Sequence, residues 1–250
     1  MRPWTLIGQA SAPDGTALTL KGRGDEFLLL ADNKPLMSSD QHGSEDALAT
    51  LACRRIQSIA APRVLIGGLG MGYTLRAALD VLPPAATVVV AELVPAVVSW
   101  NRGPLGPLAG HPLDDPRVRV EETDVALAVR SSAGRFDAVL LDVDNGSEAL
   151  TTSTNWWLYS DRGVDAIRAA LSAQGVVAMW LAKEDRRFAR RLRQHGFTVN
   201  VEHVRGHLKR GGQRHTILVA CQSAGRYPPL RGGAGARPPR AVPGRAGRQR

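Results

Sequence analysis

Short runs of β-branched and other apolar residues alternate with helical patterns through the middle of the chain. Five runs rich in β-branched and apolar residues are predicted to be strands, at residues 63–68, 87–92, 117–122, 136–142 and 175–182. Helical segments follow them at residues 73–82, 95–101, 125–131, 156–171 and 185–195. Buried strands separated by helices indicate a parallel sheet that is covered on both sides. The pattern therefore predicts a doubly wound α/β fold.

Two further strand patterns, at residues 197–204 and 214–220, have no helix-length segment between them. Consecutive strands with a short connection form an antiparallel hairpin. We therefore expect this hairpin to close the sheet with an antiparallel strand, which gives seven strands, most of them parallel.

The chain opens with strand patterns at residues 5–10, 16–22 and 26–32, separated by turn signals. Residues 1–43 are therefore predicted to be a small β-hairpin region. Apolar residues at helical spacing then predict a helix over Ser44–Ile59, with Ser44 as its cap. This helix would lead into the main domain, which we place at residues 44–221.

Much of the positive charge lies at the carboxyl end. The chain has a formal net charge of +9, and residues 222–250 hold seven arginines and no acidic residue. This segment, rich in Arg, Gly and Pro, cannot bury enough apolar surface to fold, so we predict that it is disordered. It is either a solvated extension or a site of weak contact with RNA.

The two cysteines, Cys53 and Cys221, form neither a disulfide framework nor a metal-ligand spacing. No run of about 18 apolar residues predicts a membrane span. We therefore expect a cytoplasmic protein that has no metal and no contact with membranes. Whether it forms a homodimer is open.

The strongest chemical signal is the glycine-rich turn Gly67–Gly72, which joins a buried strand to a helix. Gly67, Gly68, Gly70 and Gly72 allow a sharp turn and a close approach of the backbone to a ligand. Glu92 ends the next strand, twenty residues after Gly72, where a carboxylate can accept from both hydroxyls of a ribose. A nucleoside site is the prediction.

The spacing of the glycines distinguishes two classes of cofactor. A dinucleotide fingerprint needs a third glycine where this chain has Tyr73. Gly-x-Gly-x-Gly with an acid after each of the next two strands is instead the layout of S-adenosylmethionine sites. Asp124 would then accept from the adenine amino group, or it would cap the helix that begins at Val125.

Asp142 and Asp144 follow the fourth strand and should face the same crevice as the glycine turn. Two carboxylates there are costly unless a cation or a proton accompanies them, and an amine substrate supplies both. For Asp144 the alternative is a role in a turn, because Asp-Asn-Gly favours one. The nearby Trp156 and Trp157 either cover the site or pack in the core.

From about Ser38 to Ala220 the chain resembles the spermidine synthase family. The segments that carry the resemblance occur in order and read GGLGMGYTLR, AELVP, DPRVRVEETD, DAVLLDVDNG and QGVVAMW. The family has a fold like that of class I methyltransferases, with an N-terminal β-hairpin region. It transfers an aminopropyl group from decarboxylated S-adenosylmethionine to putrescine and releases 5′-methylthioadenosine.

The resemblance implies roles for particular residues. The glycine turn and Glu92 would hold the nucleoside, Asp124 the adenine, and Asp142 would deprotonate the attacking amine. This chain departs from the family at Met71, where the family has the Asp that binds the amine of the aminopropyl tail. It also has DVDNG in place of Asp-Ser-Ser-Asp-Pro, so the second carboxylate is displaced to Asp144 or replaced by Asn145.

The sequence thus predicts an enzyme that alkylates an amine with an S-adenosyl sulfonium, first of all by aminopropyl transfer. One alternative is a methyltransferase that uses intact S-adenosylmethionine and acts on a small amine or RNA. Another is a nucleoside-binding protein without catalysis. The acceptor is not specified by the sequence.

Overall fold

A computed structural model describes residues 2–143, 153–206 and 214–222 of the chain. The first strands form a separate four-stranded antiparallel sheet in the order β1-β2-β3-β4. These strands are β1 (Thr5–Ser11), β2 (Ala17–Arg23), β3 (Glu26–Ala31) and β4 (Lys34–Ser38). The predicted β-hairpin region is present, and β4 extends it by a strand that the sequence pattern did not predict.

The main sheet has seven strands in the order β10-β11-β9-β8-β5-β6-β7. Its strands are β5 (Arg63–Gly67), β6 (Thr87–Glu92), β7 (Val118–Glu122), β8 (Phe136–Leu141), β9 (Leu171–Leu181), β10 (Thr198–Arg205) and β11 (Arg214–Cys221). Strands β5 to β9 pair in parallel, whereas β11 pairs antiparallel with both β9 and β10. The predicted doubly wound α/β fold with an antiparallel closing hairpin is confirmed.

Six helices are described, and they lie close to the predicted segments. Their bounds are α1 (Gly43–Cys53), α2 (Tyr73–Val81), α3 (Pro95–Arg102), α4 (Val125–Arg130), α5 (Asp161–Ala170) and α6 (Arg186–Gln194). The predicted helix start at Trp156 is wrong, because a 3-10 helix over Ser153–Tyr159 precedes α5 and the Ser160 side chain caps α5. The predicted cap at Ser44 is also wrong, since α1 begins one residue earlier, at Gly43, and the predicted end at Ile59 is wrong because α1 ends at Cys53.

Alternate residues of the central strands enter two separate cores, one on each face of the sheet. On β5, Val64 and Ile66 pack into one core with side chains of α1, α2 and α3. Leu65 points to the other face and packs with side chains of α4, α5 and α6. Because both faces are covered, the strands can be apolar throughout, which is the pattern that predicted a parallel sheet.

The strand order places the ends of β5 and β8 at the point where the chain direction across the sheet reverses. From β5 the chain continues to β6 and β7 on one side, and later to β8 and β9 on the other. In open α/β sheets, ligands bind in the crevice beyond the carboxyl ends of the strands at such a point. The fold therefore positions the glycine turn after β5 at the expected place for a ligand.

Cys53 and Cys221 form no disulfide, and Cys53 is buried at the end of α1. Within residues 2–143, 153–206 and 214–222, no helix is both long enough and apolar enough to cross a membrane. The arginine-rich segment from residue 223 onward lies outside the described residues, so its predicted disorder and RNA contact stay predictions.

His195, at the end of α6, connects this helix to α5 through two carboxylates. Its Nδ1 lies 2.7 Å from Asp165 Oδ1 and its Nε2 lies 3.0 Å from Asp161 Oδ1. Both ring nitrogens can donate only in the imidazolium form. The hydrogen bond with Asp161, together with that of Asp165, therefore raises the pKa of His195 above its usual value of 6.5.

We expect an NMR titration to give a pKa above 6.5 for His195, and a lower pKa in the variant Asp161→Asn. Because the folded-state pKa is raised, the stabilisation by His195 is present below about pH 6.5 and is lost as the pH rises through the folded-state pKa. A His195 pKa at or below 6.5 in the unmodified protein would contradict this geometry.

Candidate functional site

A cavity of about 510 Å³ opens beyond the carboxyl ends of the central strands. Its wall includes the glycine turn and other loops of the main sheet, the segment from β4 to α1, and the ends of β9 and β11. Ala12, Leu18 and Leu29 of the N-terminal sheet region also line it. The predicted site residues that line it are Gly68, Gly70, Glu92, Asp124 and Asp142. Gly67 and Gly72 are not among the lining residues.

The glycine turn has the backbone conformation that only glycine adopts without strain. Gly68 has a φ of +88°, and a Cβ there would collide with the carbonyl oxygen of Asp142. Gly70 has a φ of +52°, and a Cβ there would lie 2.8 Å from the sulfur of Met37. The turn is therefore packed closely between the loop after β8 and strand β4, and it forms part of the cavity wall.

Glu92 is buried at the end of β6, and backbone amides hold both of its carboxylate oxygens. Oε2 accepts from the amide of Leu69 at 2.8 Å, and Oε1 accepts from the amide of Val94 at 2.9 Å. Burial raises the pKa of Glu92, while these amides act in the opposite direction. Each oxygen has a second lone pair, so the fixed carboxylate can still accept from a diol in the cavity.

Asp124 lines the cavity and also caps α4. Its Oδ1 accepts from the amide of Ala126 at 2.8 Å, which confirms the predicted capping role. A single oxygen is sufficient for the cap, so capping and contact with a ligand are compatible.

Asp142 follows β8 directly and lies at the opening between β5 and β8. Its Oδ2 accepts from the hydroxyl of Thr74 at 2.6 Å, and Thr74 is buried on α2. The hydroxyl fixes the carboxylate beside the glycine turn without neutralising its charge. Asp144, the second predicted catalytic carboxylate, lies outside the described residues, and its role stays a prediction.

Glu45 is a cavity residue that the sequence analysis did not predict as part of the site. It lies in the first turn of α1, is only 7% exposed, and its Oε2 accepts from the Ser44 hydroxyl at 2.5 Å. Burial raises the pKa of Glu45, and the charge of the neighbouring His42 acts against this. Helical periodicity identifies apolar positions, but it gives no sign that an acid in the first turn faces a cavity.

The cavity wall is acidic. Four carboxylates line it, those of Glu45, Glu92, Asp124 and Asp142, and no Lys or Arg lines it within the described part of the chain. His215 is the remaining titratable group of the wall, and burial lowers its pKa, so it is neutral at pH 7. Such a wall favours a cationic ligand over an anionic one.

Met71 is fully buried in the core and does not line the cavity. The turn therefore presents no side chain of its own to a ligand at this position. Trp156 is 68% exposed, and Trp157 packs partly against the core that includes α4 and α5. Neither tryptophan lines the cavity, whereas the adjacent Asn155 does.

Comparison with known proteins gives one curated relative and several solved structures. The chain is 31% identical to polyamine aminopropyltransferase 1 of Streptomyces coelicolor over 166 residues, which are 65% of this chain and 29% of that protein. No protein-family model matches the chain. The similarity thus spans less than a third of the relative's length.

The similarity to solved structures covers most of this chain. Spermidine synthase from Thermotoga maritima superposes with a TM-score of 0.67 at 18% identity, covering 87% of this chain and 73% of that one. A spermidine synthase in complex with the transition-state analogue AdoDATO gives a TM-score of 0.66 at 18% identity, covering 87% and 72% of the two chains. This chain has the fold of the spermidine synthases. The resemblance predicted from the sequence is confirmed.

A third structure, of a probable spermidine synthase from Corynebacterium glutamicum, gives a TM-score of 0.59 at 15% identity and covers 88% of this chain and 81% of that one. The spermidine-synthase-like fold places the glycine turn, Glu92, Asp124 and Asp142 at one end of the sheet, around the cavity described above. Contact of each residue with a ligand remains a prediction.

We predict that Gly68→Ala destabilises the protein more than Gly15→Ala. Gly15 has a φ of +89°, nearly that of Gly68, but a Cβ at Gly15 would have no neighbour within 4 Å. The strain of a positive φ alone is expected to cost about 1 kcal/mol at Gly15. At Gly68 the collision with the Asp142 carbonyl adds about 1–3 kcal/mol. Urea unfolding of the two variants measures the free energy that each substitution costs. Equal losses of stability in Gly68→Ala and Gly15→Ala would contradict the close packing of the turn.

Proposed function

We propose that this chain transfers an aminopropyl group from decarboxylated S-adenosylmethionine to an amine. The observation that supports this most strongly is the acidic cavity, with four lining carboxylates and no lining Lys or Arg in the described residues. The donor carries a sulfonium and an ammonium, and the acceptor amine is also a cation before it reacts. Both substrates match the charge of this wall.

The acidic wall also favours the decarboxylated donor over intact S-adenosylmethionine. The intact molecule carries an additional carboxylate, which would enter the cavity beside other carboxylates without a cationic partner in the described wall. An unpaired anion in a partly desolvated site is costly. We therefore favour aminopropyl transfer over methyl transfer.

The comparisons support the same choice. The curated relative is an aminopropyltransferase by name, and one structural neighbour binds AdoDATO as a transition-state analogue. In our proposal the adenosine lies against Gly68 and Gly70, Glu92 accepts from the ribose hydroxyls, and Asp124 accepts from the adenine amino group.

The reaction is an in-line displacement at carbon. The acceptor nitrogen forms a bond to the aminopropyl methylene as the carbon–sulfur bond breaks, and the electron pair of that bond stays on sulfur. The sulfonium thereby becomes the neutral thioether of 5′-methylthioadenosine. The protein contributes alignment and exclusion of water.

The acceptor must lose a proton before its nitrogen can attack, because an alkylammonium has a pKa of roughly 10.4. Asp142 is the proposed base: it lines the cavity, and the Thr74 hydroxyl holds its carboxylate in place. Asp144 is proposed to orient the acceptor.

A calorimetric titration tests the choice of donor. We expect decarboxylated S-adenosylmethionine to bind more tightly than both 5′-methylthioadenosine, which lacks the ammonium, and intact S-adenosylmethionine, which carries the extra carboxylate. A charge-assisted contact of about 1.5–3 kcal/mol corresponds to a difference of roughly 10- to 100-fold. Tighter binding of intact S-adenosylmethionine would instead support the methyltransferase.

Asp142→Asn tests the proposed base. With putrescine as the acceptor probe, we expect kcat for release of 5′-methylthioadenosine to fall by about 10²- to 10⁴-fold, because the variant cannot collect the proton, while the donor still binds. Asp137→Asn is the control, since Asp137 lies at the other end of β8 and accepts from Ser172 outside the cavity. An unchanged kcat in Asp142→Asn would exclude Asp142 as the base, and no turnover in any form would support the non-catalytic alternative.

A further inference from the structure

Met71 raises a specific question about the donor's aminopropyl tail. Its side chain is fully buried among apolar residues, so it neither reaches the cavity nor pairs with an ammonium. If this chain uses the decarboxylated donor, a carboxylate from elsewhere must receive the tail.

The end of β4 packs against the glycine turn, and the segment between β4 and α1 packs against the start of α2. The Met37 side chain lies against Gly70, and the Tyr73 hydroxyl donates to the carbonyl oxygen of Ser39 at 2.9 Å. The His42 ring stacks on the Tyr73 ring with their centroids 4.2 Å apart. This segment therefore brings the first turn of α1 to the same side of the cavity as the glycine turn.

Glu45 lies in that first turn and lines the cavity. Its position next to the start of α2 is also evident from Tyr73, whose pKa is raised to about 12 by burial and, after that, by the charge of Glu45. Tyr73 is two residues from Met71. Glu45 therefore lines the same cavity as Gly70, in the helical turn that packs against the start of α2.

Among the described residues, Glu45 has no salt-bridge partner. Its Oε2 is held by a neutral donor, the Ser44 hydroxyl. The charge of His42 influences Glu45, but the His42 ring is hydrogen-bonded through Nδ1 to Asp46 at 2.8 Å. A carboxylate that is 7% exposed, lines a cavity and has no ion pair fits a ligand that brings its own positive charge.

Resting on the proposed function, we infer that Glu45 binds the ammonium group of the donor's aminopropyl chain. The ligand class is a primary alkylammonium joined to an adenosyl sulfonium. Glu45, which lies on helix α1, thereby makes the ammonium contact that the glycine turn of this chain does not supply.

The test compares two ligands that differ in the tail. Decarboxylated S-adenosylmethionine has the ammonium, whereas 5′-methylthioadenosine has the same nucleoside without it. For Glu45→Gln we expect the dissociation constant of the first to rise by about 10- to 100-fold, and that of the second to change by no more than about twofold. Retained binding of 5′-methylthioadenosine also shows that the variant is folded.

Asp46→Asn is the matched control. It removes one negative charge from the same helical turn, but Asp46 does not line the cavity, so both dissociation constants should stay unchanged. A second variant, Ser44→Ala, keeps the carboxylate and removes the hydroxyl that holds it. We expect a rise of about 2- to 10-fold for the decarboxylated donor only.

The outcomes separate the two proposals. If the unmodified protein prefers the decarboxylated donor and Glu45→Gln keeps that preference, the assignment of Glu45 is wrong and the proposed function stands. Equal weakening of both ligands, or an increased KM for putrescine alone, would also overturn the assignment. If the unmodified protein shows no preference between the two ligands, the proposed function itself fails.

Discussion

Carboxylates that line a partly buried cavity need hydrogen-bond donors, and in this protein each of the four receives at least one from a backbone amide or a hydroxyl group. Backbone amides hold Glu92 and Asp124, and hydroxyl groups hold Asp142 and Glu45. A Lys or Arg in the same positions would cancel the charge. Neutral donors fix each carboxylate and leave its negative charge for a ligand. The proposed preference for a cationic substrate rests on this arrangement.

The fold provides the neutral donors. Parallel strands end at one edge of the sheet, where the loops after β5 and β6 offer amides that no strand partner uses. The amides of Leu69 and Val94 are two of these, and they clamp Glu92. Helix α2 begins immediately after the glycine turn and supplies Thr74 to Asp142. The turn thus contributes a backbone amide to Glu92 and also positions the start of α2, which carries the Thr74 hydroxyl that donates to Asp142.

Much of this could be predicted from the sequence, because a sheet covered on both faces leaves a strong local signal. The runs that became β5 and β6 are apolar throughout, and Glu92 ends its strand at the predicted residue. Strand β4 was missed because Lys34–Ser38 is short and contains a proline, so it carries little strand propensity. Its place in the sheet depends on pairing with β3.

The contribution of α1 to the site could not be read from the sequence, since it depends on contacts between distant segments. The amide of Gly43 donates to the carbonyl oxygen of Gly206, so the first turn of α1 is fixed by the end of β10. Gly43 and Gly206 are 163 positions apart in the sequence. Their contact holds the helical turn in which Glu45 is buried at the cavity wall. Local rules predicted Ser44 as a helix cap, whereas its hydroxyl holds the Glu45 carboxylate.

The central claim is that one acidic cavity holds an adenosyl sulfonium over the glycine turn, and a crystal structure with bound decarboxylated S-adenosylmethionine tests it most directly. We predict the adenosine against Gly68 and Gly70, with its ribose hydroxyls on Glu92 and its sulfur facing Asp142. A ligand bound elsewhere on the protein, or bound here with the ribose away from Glu92, would contradict the claim.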